Sequence, residues 1–271
     1  MISNGPLLPG ILPAMAKDSW NPRQYERFRA ERRQPFDDLV RLIRPRPALR
    51  IADLGCGTGE LTRELHLALR ARETRGIDRS KQMLERAVSC IEPDLSFECR
   101  AIEDFSGGPF DLLFSNAALH WVLDHEKLFG RLSTLLAPGG QLAVQMPANN
   151  DHASHECAAE VARTEPFQSL LGGFVLASPV LSPEAYALLL KKSGFAEQHV
   201  RLQVYLHELA STAEVAEWTR GTTLTAYEEK LAPADFENFV ERYRERLLAR
   251  MGDQRPFFFT FKRILLWAQK P

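Results

Sequence analysis

The sequence predicts a doubly wound, mostly parallel α/β sheet of seven strands, with a helical cap inserted between the last two strands. Three observations predict it. β-like and helix-like segments alternate from about residue 36 to residue 205, a strand near residue 50 runs straight into a glycine turn, and a helical stretch over 211–250 interrupts the alternation before a long final β segment. At roughly 100–200 residues per domain, a chain of 271 residues fits one large domain carrying an insertion.

The elements follow in order. Residues 1–17 hold a short apolar patch broken by three prolines and lack a basic leader, so they are expected to form a flexible tail and not a signal peptide. Leu39, Leu42 and Ile43 keep helical spacing until Pro45 and Pro47 stop it. Leu49 to Leu54 is a short strand, and Leu61, Leu65 and Leu69 form one face of the helix after the glycine turn. Thr74 to Ile77 is a second strand, and Ser80 caps a helix through Met83, Leu84, Ala87 and Val88. Leu95 to Cys99 is a third strand. The nearly continuous apolar run Phe110 to Ser115 suits a central parallel strand covered on both faces. His125 to Leu136 is helical, and Pro138-Gly139-Gly140 turns the chain into a strand from Gln141 to Met146. Residues 148–178 show poor periodicity. A helix over Pro183 to Lys192 and a strand over Phe195 to Leu206 resume the pattern. Val215, Trp218, Phe236, Phe239, Val240, Tyr243 and Leu247 then mark amphipathic helices, and Phe257 to Trp267 is the last β segment. The expected division is a tail over 1–17, a ligand-binding core over 18–147 that opens with a lid helix, an irregular insertion over 148–178, core again over 179–210, a substrate cap over 211–250 and a last core strand over 251–271. Right-handed crossovers place the cap over the sheet's carboxyl edge, where open α/β sheets bind ligands.

Composition narrows the class. Lys+Arg 34 against Asp+Glu 35 leaves a formal charge of -1, which argues against a nucleic-acid binder. The four cysteines form no CxxC pair and have no metal-ligand spacing, and no apolar run reaches 18 residues. The expectation is a cytoplasmic monomer acting on a small acidic molecule, with no metal, membrane or nucleic-acid partner.

The strongest signal is Ile51-Ala52-Asp53-Leu54-Gly55-Cys56-Gly57-Thr58-Gly59-Glu60. A strand ending in Gly-x-Gly-x-Gly lets a ligand approach the backbone, because no Cβ blocks the way. A dinucleotide-binding turn spaces its third glycine one residue later. Asp53 beside the turn would repel phosphate and suits a cationic ligand. Asp78 ends the next strand 23 residues beyond Gly55, close to the offset of about 20 at which an acid reads ribose hydroxyls; it also suits a helix cap. Met83 on the following helix is placed either to pack on a purine face or to fill the core.

These residues resemble motif I and the following acidic position of the class I S-adenosylmethionine-dependent methyltransferases, which have a Rossmann-like fold. Asn116-Ala117-Ala118-Leu119-His120-Trp121 resembles that family's segment after the fourth strand, and Pro138-Gly139-Gly140 its turn before the fifth. More narrowly, Trp20-Asn21-Pro22…Tyr25…Phe28…Ala30-Glu31-Arg32…Pro35, Leu142 to Pro147 and Phe261-Lys262-Arg263 are similar to the trans-aconitate methyltransferases. The resemblance implies S-adenosylmethionine as cofactor and S-adenosylhomocysteine as product. It implies cofactor-binding positions at Asp53, Gly55, Cys56, Gly57, Gly59, Asp78, Arg79, Met83, Ile102 and Asn116. Asp53 would engage the ammonium through water, Asp78 the ribose, and the Ile102 backbone the adenine. Two positions depart from the pattern. Ala101 stands where many relatives carry an adenine-binding Asp, leaving Glu103 or Asp104 as substitutes, and Thr225 stands where the narrower group has an arginine.

Methyl transfer from a sulfonium is an in-line displacement, so positioning supplies most of the catalysis, about 7–11 kcal/mol. A carboxylate acceptor with a pKa of about 4 is already ionised at pH 7 and needs no base. It does need guanidinium forks, for which Arg32, Arg220 and Arg263 are candidates, Arg32 alternatively holding the cofactor's own carboxylate. A phenol, hydroxyl or amine acceptor would call for a base, and His120 is the candidate, as catalytic group or as pocket wall. Trp20, Tyr25 and Trp121 would exclude water from the substrate. The expected activity is O-methylation of a small polycarboxylic acid such as trans-aconitate. A malonyl thioester, phenol or amine acceptor, and a non-catalytic S-adenosylmethionine-binding protein, stay open as alternatives.

Overall fold

The computed structural model describes the chain from Arg29 to Pro271, with side chains from Arg33 onward. Its elements are α1 (Arg29–Val40), β1 (Arg50–Leu54), α2 (Glu60–Leu69), β2 (Glu73–Asp78), α3 (Lys81–Ala87), β3 (Leu95–Cys99), β4 (Phe110–Asn116), α4 (His125–Thr134), β5 (Leu136–Pro147), α5 (Ala153–Ala162), α6 (Phe167–Leu170), α7 (Pro183–Lys192), β6 (Glu197–Leu209), α8 (Glu214–Arg220), α9 (Thr225–Glu228), α10 (Pro233–Met251) and β7 (Phe257–Gln269). The strands form one sheet in the order β3-β2-β1-β4-β5-β7-β6. β1 to β5 pair in parallel, and β7 runs antiparallel to both of its neighbours. This is the seven-stranded, mostly parallel sheet that the alternation of elements predicts.

The central strands alternate faces with the period of 2 that a pleated strand imposes. Ala52, Leu54, Leu113, Leu142 and Val144 pack under α4 and α7 with Phe129, Leu132, Tyr186 and Leu190. Ile51, Leu112, Phe114, Ala143 and Trp267 pack under α1 and α2 with Phe36, Leu39 and Leu65. Covered on both faces, the strands read as apolar runs in sequence. Helix starts follow their caps: Ser80, Asp124 and Ser182 each accept a backbone N–H from the first turn of α3, α4 and α7, and Pro183 occupies a first-turn site where it costs no hydrogen bond.

A third apolar core belongs to the cap. Phe167, Trp218, Tyr227, Phe236, Phe239 and Tyr243 pack there with Phe257, Phe259 and Phe261 of β7. The stretch 148–178, expected to be irregular, holds the helix α5 and the single turn α6. The face of α5 in this core is Cys157, Ala158, Val161 and Ala162. Small side chains suffice because α10 lies against it, and small residues give little hydrophobic pattern to read.

β6 and β7 are 13 residues each and pair along their whole length, from Glu197↔Gln269 to Leu209↔Phe257. β5 shares only part of this ladder, from Gln141↔Gln269 to Pro147↔Arg263. The seven residues Arg263 to Gln269 of β7 pair with β5, and its amino-terminal half packs against the cap. Among the described residues, no helix is long and apolar enough to cross a membrane.

Candidate active site

The glycine turn between β1 and α2 is latched to the end of β2. The Gly55 and Cys56 N–H groups both donate to the Ile77 carbonyl, at 2.8 and 2.9 Å. Gly55 has φ +85° and Gly57 φ +56°, in the left-handed region that favours glycine. A Cβ on Gly55 would lie 2.1 Å from the Ala118 Cβ, whereas one on Gly57 would meet no protein atom within 4 Å. Gly55 is therefore needed for packing against the turn after β4. Gly57 keeps a piece of cavity wall open.

Asp78 ends β2 and serves this turn. One carboxylate oxygen accepts from Gly57 N at 2.9 Å and the other from Ser80 N at 2.9 Å. Asp78 also lines the cavity. Asp53 lies deeper: it is 3% exposed, its Oδ2 accepts from Thr62 Oγ1 at 2.6 Å, and its Oδ1 has no hydrogen-bond partner. Burial pushes the Asp53 carboxyl up to about 7, against the Thr62 hydrogen bond and with a further push from the Asp78 charge.

The cavity measures about 670 Å³, within the roughly 300–1,000 Å³ typical of small-molecule sites. At one end stand Gly55, Gly57, Asp78, Arg79, Met83, Ile102 and Glu103. Arg131 of α4 donates to the carbonyls of Ile102 and Phe105, which fixes the loop after β3. Of the two acids considered for the adenine amino group, Glu103 lines the cavity.

β4 ends at Asn116, and the chain passes through Ala117, at φ +57°, into the turn Leu119–Trp121. A hydrogen-bonded series leaves this strand end. The Gln145 side chain donates to Asn116 Oδ1 at 2.7 Å and accepts from Arg263 Nη1 at 3.0 Å. Gln145 and Arg263 are 1% and 4% exposed, yet both line the cavity. His120 and Trp121 also line it, their rings 4.7 Å apart. Burial and then the positive charge of Arg263 push His120 down to about 3, and its Nδ1 has no hydrogen-bond partner. Such an imidazole is neutral at pH 7 and a weak base. His125 steadies the turn from behind, its two ring nitrogens meeting the Tyr186 hydroxyl at 2.5 Å and the Leu119 carbonyl at 3.0 Å.

The far wall comes from the cap. Trp218, Thr219, Thr222, Thr223 and Tyr227 line it together with Asn149, His155 and Arg163. His155 Nε2 bonds Thr223 Oγ1 at 3.0 Å, and burial holds this ring down to about 4. Glu156 and Glu160 at the rim are paired with Arg250.

The expected positions thus divide. Gly55, Gly57, Asp78, Arg79, Met83, Ile102, Asn116, His120, Trp121 and Arg263 line one cavity. Cys56 and Gly59 belong to the turn's buried side; a Cβ on Gly59 would meet Phe97 at 2.7 Å. Arg220 is corrected: it pairs with Glu237 and lies 5.4 Å over the Phe236 ring, away from the cavity. Its neighbours Trp218 and Thr219 take the inward face of α8, and this turns Arg220 to the outside. Trp20, Tyr25 and the Arg32 side chain lie outside the described residues. Asn149, His155 and Arg163 were not singled out as site residues, because the segment that carries them has no periodic or motif signal. Among the described residues, no group of three or more His, Cys, Asp or Glu side chains is arranged to hold a metal ion.

Comparison with known proteins agrees with this geometry. A family model described as a methyltransferase domain matches residues 52–144. The trans-aconitate 2-methyltransferase of Deinococcus radiodurans is 42% identical over 259 residues, covering 93% of this chain and 99% of the relative. The enzyme of that name from Streptomyces avermitilis is 35% identical over 269 residues, covering 96% and 99%. Among solved structures, the YcgJ protein of Bacillus subtilis superposes with a TM-score of 0.60 at 18% identity, covering 88% of this chain and 98% of that one, which supports the fold.

Proposed function

The chain belongs to the trans-aconitate 2-methyltransferase family of S-adenosylmethionine-dependent methyltransferases, and from that premise we propose that it esterifies one carboxylate of a small polycarboxylic acid, with trans-aconitate as the first candidate. The observation that carries this reading is Arg263. It is a buried guanidinium in the cavity wall, tied through Gln145 to Asn116 at the strand end that borders the glycine turn. A buried cation facing a cavity is a site for an anion.

The cofactor fits the opposite end. Gly57 keeps its part of the wall clear, Asp78 lines it where a ribose would be held, and Met83 and Ile102 offer apolar surface for an adenine. When bound, S-adenosylmethionine supplies a methyl group already activated by its sulfonium. The protein's share is then to hold the acceptor. Arg263 fixes one carboxylate so that another faces the glycine turn, and Trp121, Trp218 and Phe261 exclude water. No proton has to be removed from an ionised carboxylate. That agrees with a His120 ring held neutral, and it disfavours the phenol and amine acceptors that would need His120 as a base.

Incubating the protein with labelled S-adenosylmethionine and trans-aconitate is expected to give a monomethyl ester, detected by mass spectrometry. Unlabelled acid at saturating concentrations of both reactants would sink this substrate.

Asp53 adds a pH dependence. Its carboxyl titrates at about 7 in the folded protein against about 3.9 when unfolded. The native state therefore binds the extra proton between these values, and Asp53's contribution to stability is lost as pH rises through that window. A cation bound nearby favours the carboxylate, so cofactor binding near pH 6.5 is expected to release a proton and to tighten as pH rises through 7. Calorimetry in buffers of different ionisation enthalpy measures this release. Binding without proton exchange would show that Asp53 does not sense the ligand's charge.

A further inference from the structure

Asn149 is 1% exposed and lines the cavity on the side of the cap. It follows β5 by two residues and is locked to the neighbouring strand: its Oδ1 accepts from Lys262 N at 2.7 Å, while the Ala148 N–H donates to the Lys262 carbonyl at 2.9 Å. The amide can therefore turn only one way round, because the acceptor end is committed to a backbone donor. The donor end, Nδ2, is buried and has no hydrogen-bond partner. A buried polar group left unpaired is costly, and native proteins seldom carry one without a use.

Its setting says what that use is. Lys262 precedes Arg263, and Arg263 pairs with Pro147 in the sheet, so Asn149 is anchored to the backbone one residue from the buried guanidinium, and both residues line the cavity. His120 Nδ1, another buried polar atom of this cavity without a partner, stands under the influence of Arg263. The Thr223 hydroxyl and the His155 ring, hydrogen-bonded to each other, face the cavity from the cap. The nearby carboxylates do not compete: Asp151 is paired with Lys262, and Glu156 with Arg250. One full charge and an oriented amide donor in the wall of one cavity match an acceptor with two or more carboxylates.

We propose that Asn149 determines substrate specificity by donating its Nδ2–H to a non-reacting carboxylate of the acceptor, beside the carboxylate held by Arg263. This rests on the anionic-acceptor reading above and adds a second anchoring point to it. An amide at this position selects for number and placement of carboxylates. It adds no charge that would also attract monoanions.

The test is Asn149→Asp, which keeps the acceptor for Lys262 N and nearly the same shape but replaces the donor by a negative oxygen. The expected result is a KM for trans-aconitate raised on the order of 100-fold, with the dissociation constant for S-adenosylhomocysteine within twofold of wild type. With the matching unsaturated dicarboxylate that lacks the remote carboxylate, the same variant is expected to lose much less, so the wild-type preference for the tricarboxylate narrows. Calorimetry of trans-aconitate into the S-adenosylhomocysteine complex gives the same comparison without turnover. An active wild type with an unchanged KM in Asn149→Asp overturns this inference alone. Equal weakening of S-adenosylhomocysteine binding puts Asn149 on the cofactor and also overturns it. A wild type that neither binds nor methylates the acid overturns the acceptor reading, and this inference with it.

Discussion

Replacing Gly57 by alanine is expected to weaken S-adenosylmethionine binding at least 100-fold while leaving the fold largely intact. The two effects separate because the added Cβ meets no protein atom within 4 Å. The cost to stability is the left-handed backbone at φ +56°, roughly 1–2 kcal/mol for a residue with a Cβ. The space it fills belongs to the cavity. Gly55→Ala provides the contrast. Its Cβ would sit 2.1 Å from that of Ala118, so the turns after β1 and β4 cannot keep their contact. That variant is expected to lose several kcal/mol of stability together with binding, as large values follow from overpacking and backbone strain. Calorimetry and thermal unfolding on both variants check the pair. Unaltered affinity in Gly57→Ala would remove the glycine turn from the cofactor site.

The second large effect is expected at Arg263. In Arg263→Leu, kcat/KM for a polycarboxylate should fall about 1,000-fold, in line with the 2–5 kcal/mol typical of deleting one partner of a buried charged pair. Cofactor affinity should fall far less, since Arg263 reaches the strand end beside the glycine turn only through Gln145 and Asn116. Part of the loss is conformational: without Arg263 the Gln145 carbonyl loses its donor, and the series to Asn116 loosens. Arg263→Lys separates charge from geometry. A lysine keeps the charge but not the planar fork, so intermediate activity indicates two-pronged carboxylate recognition. Steady-state kinetics with a fixed saturating cofactor concentration reads both variants. An undiminished Arg263→Leu would remove the anion site on which the substrate reading depends.

The floor of the site was legible in sequence because its signals are local. A short apolar strand, three glycines at alternate positions and an acid ending the next strand are fixed by backbone requirements within about 30 residues. Asp78 illustrates the limit of that legibility. Helix capping and ligand holding looked like rival roles, but Ser80 caps α3, and the Asp78 carboxylate instead bonds Ser80 N and Gly57 N and lines the cavity. The roof was less legible. Arg220 looked suitable because it lies near Thr225, where the narrower group has an arginine, but α8 buries Val215, Ala216, Trp218 and Thr219, and the helical rotation directs Arg220 to Glu237. Asn149 gave no signal because its role depends on Lys262, 113 residues away in the chain. His155 likewise depends on Thr223, 68 residues away. The alanine-rich face of α5 concealed the helix that carries His155.

The unequal ladders of β7 have a mechanical consequence. Arg263 occupies the last rung that β7 shares with β5, at Pro147. Beyond it, only the two-stranded ribbon of β6 and β7 continues, up to Leu209 and Phe257, with α8 to α10 strung between its ends. The ribbon is a lever arm and this rung its fulcrum. If the cap tilts against the sheet, it turns about Arg263, so an acid held there as proposed would load the cap's own pivot.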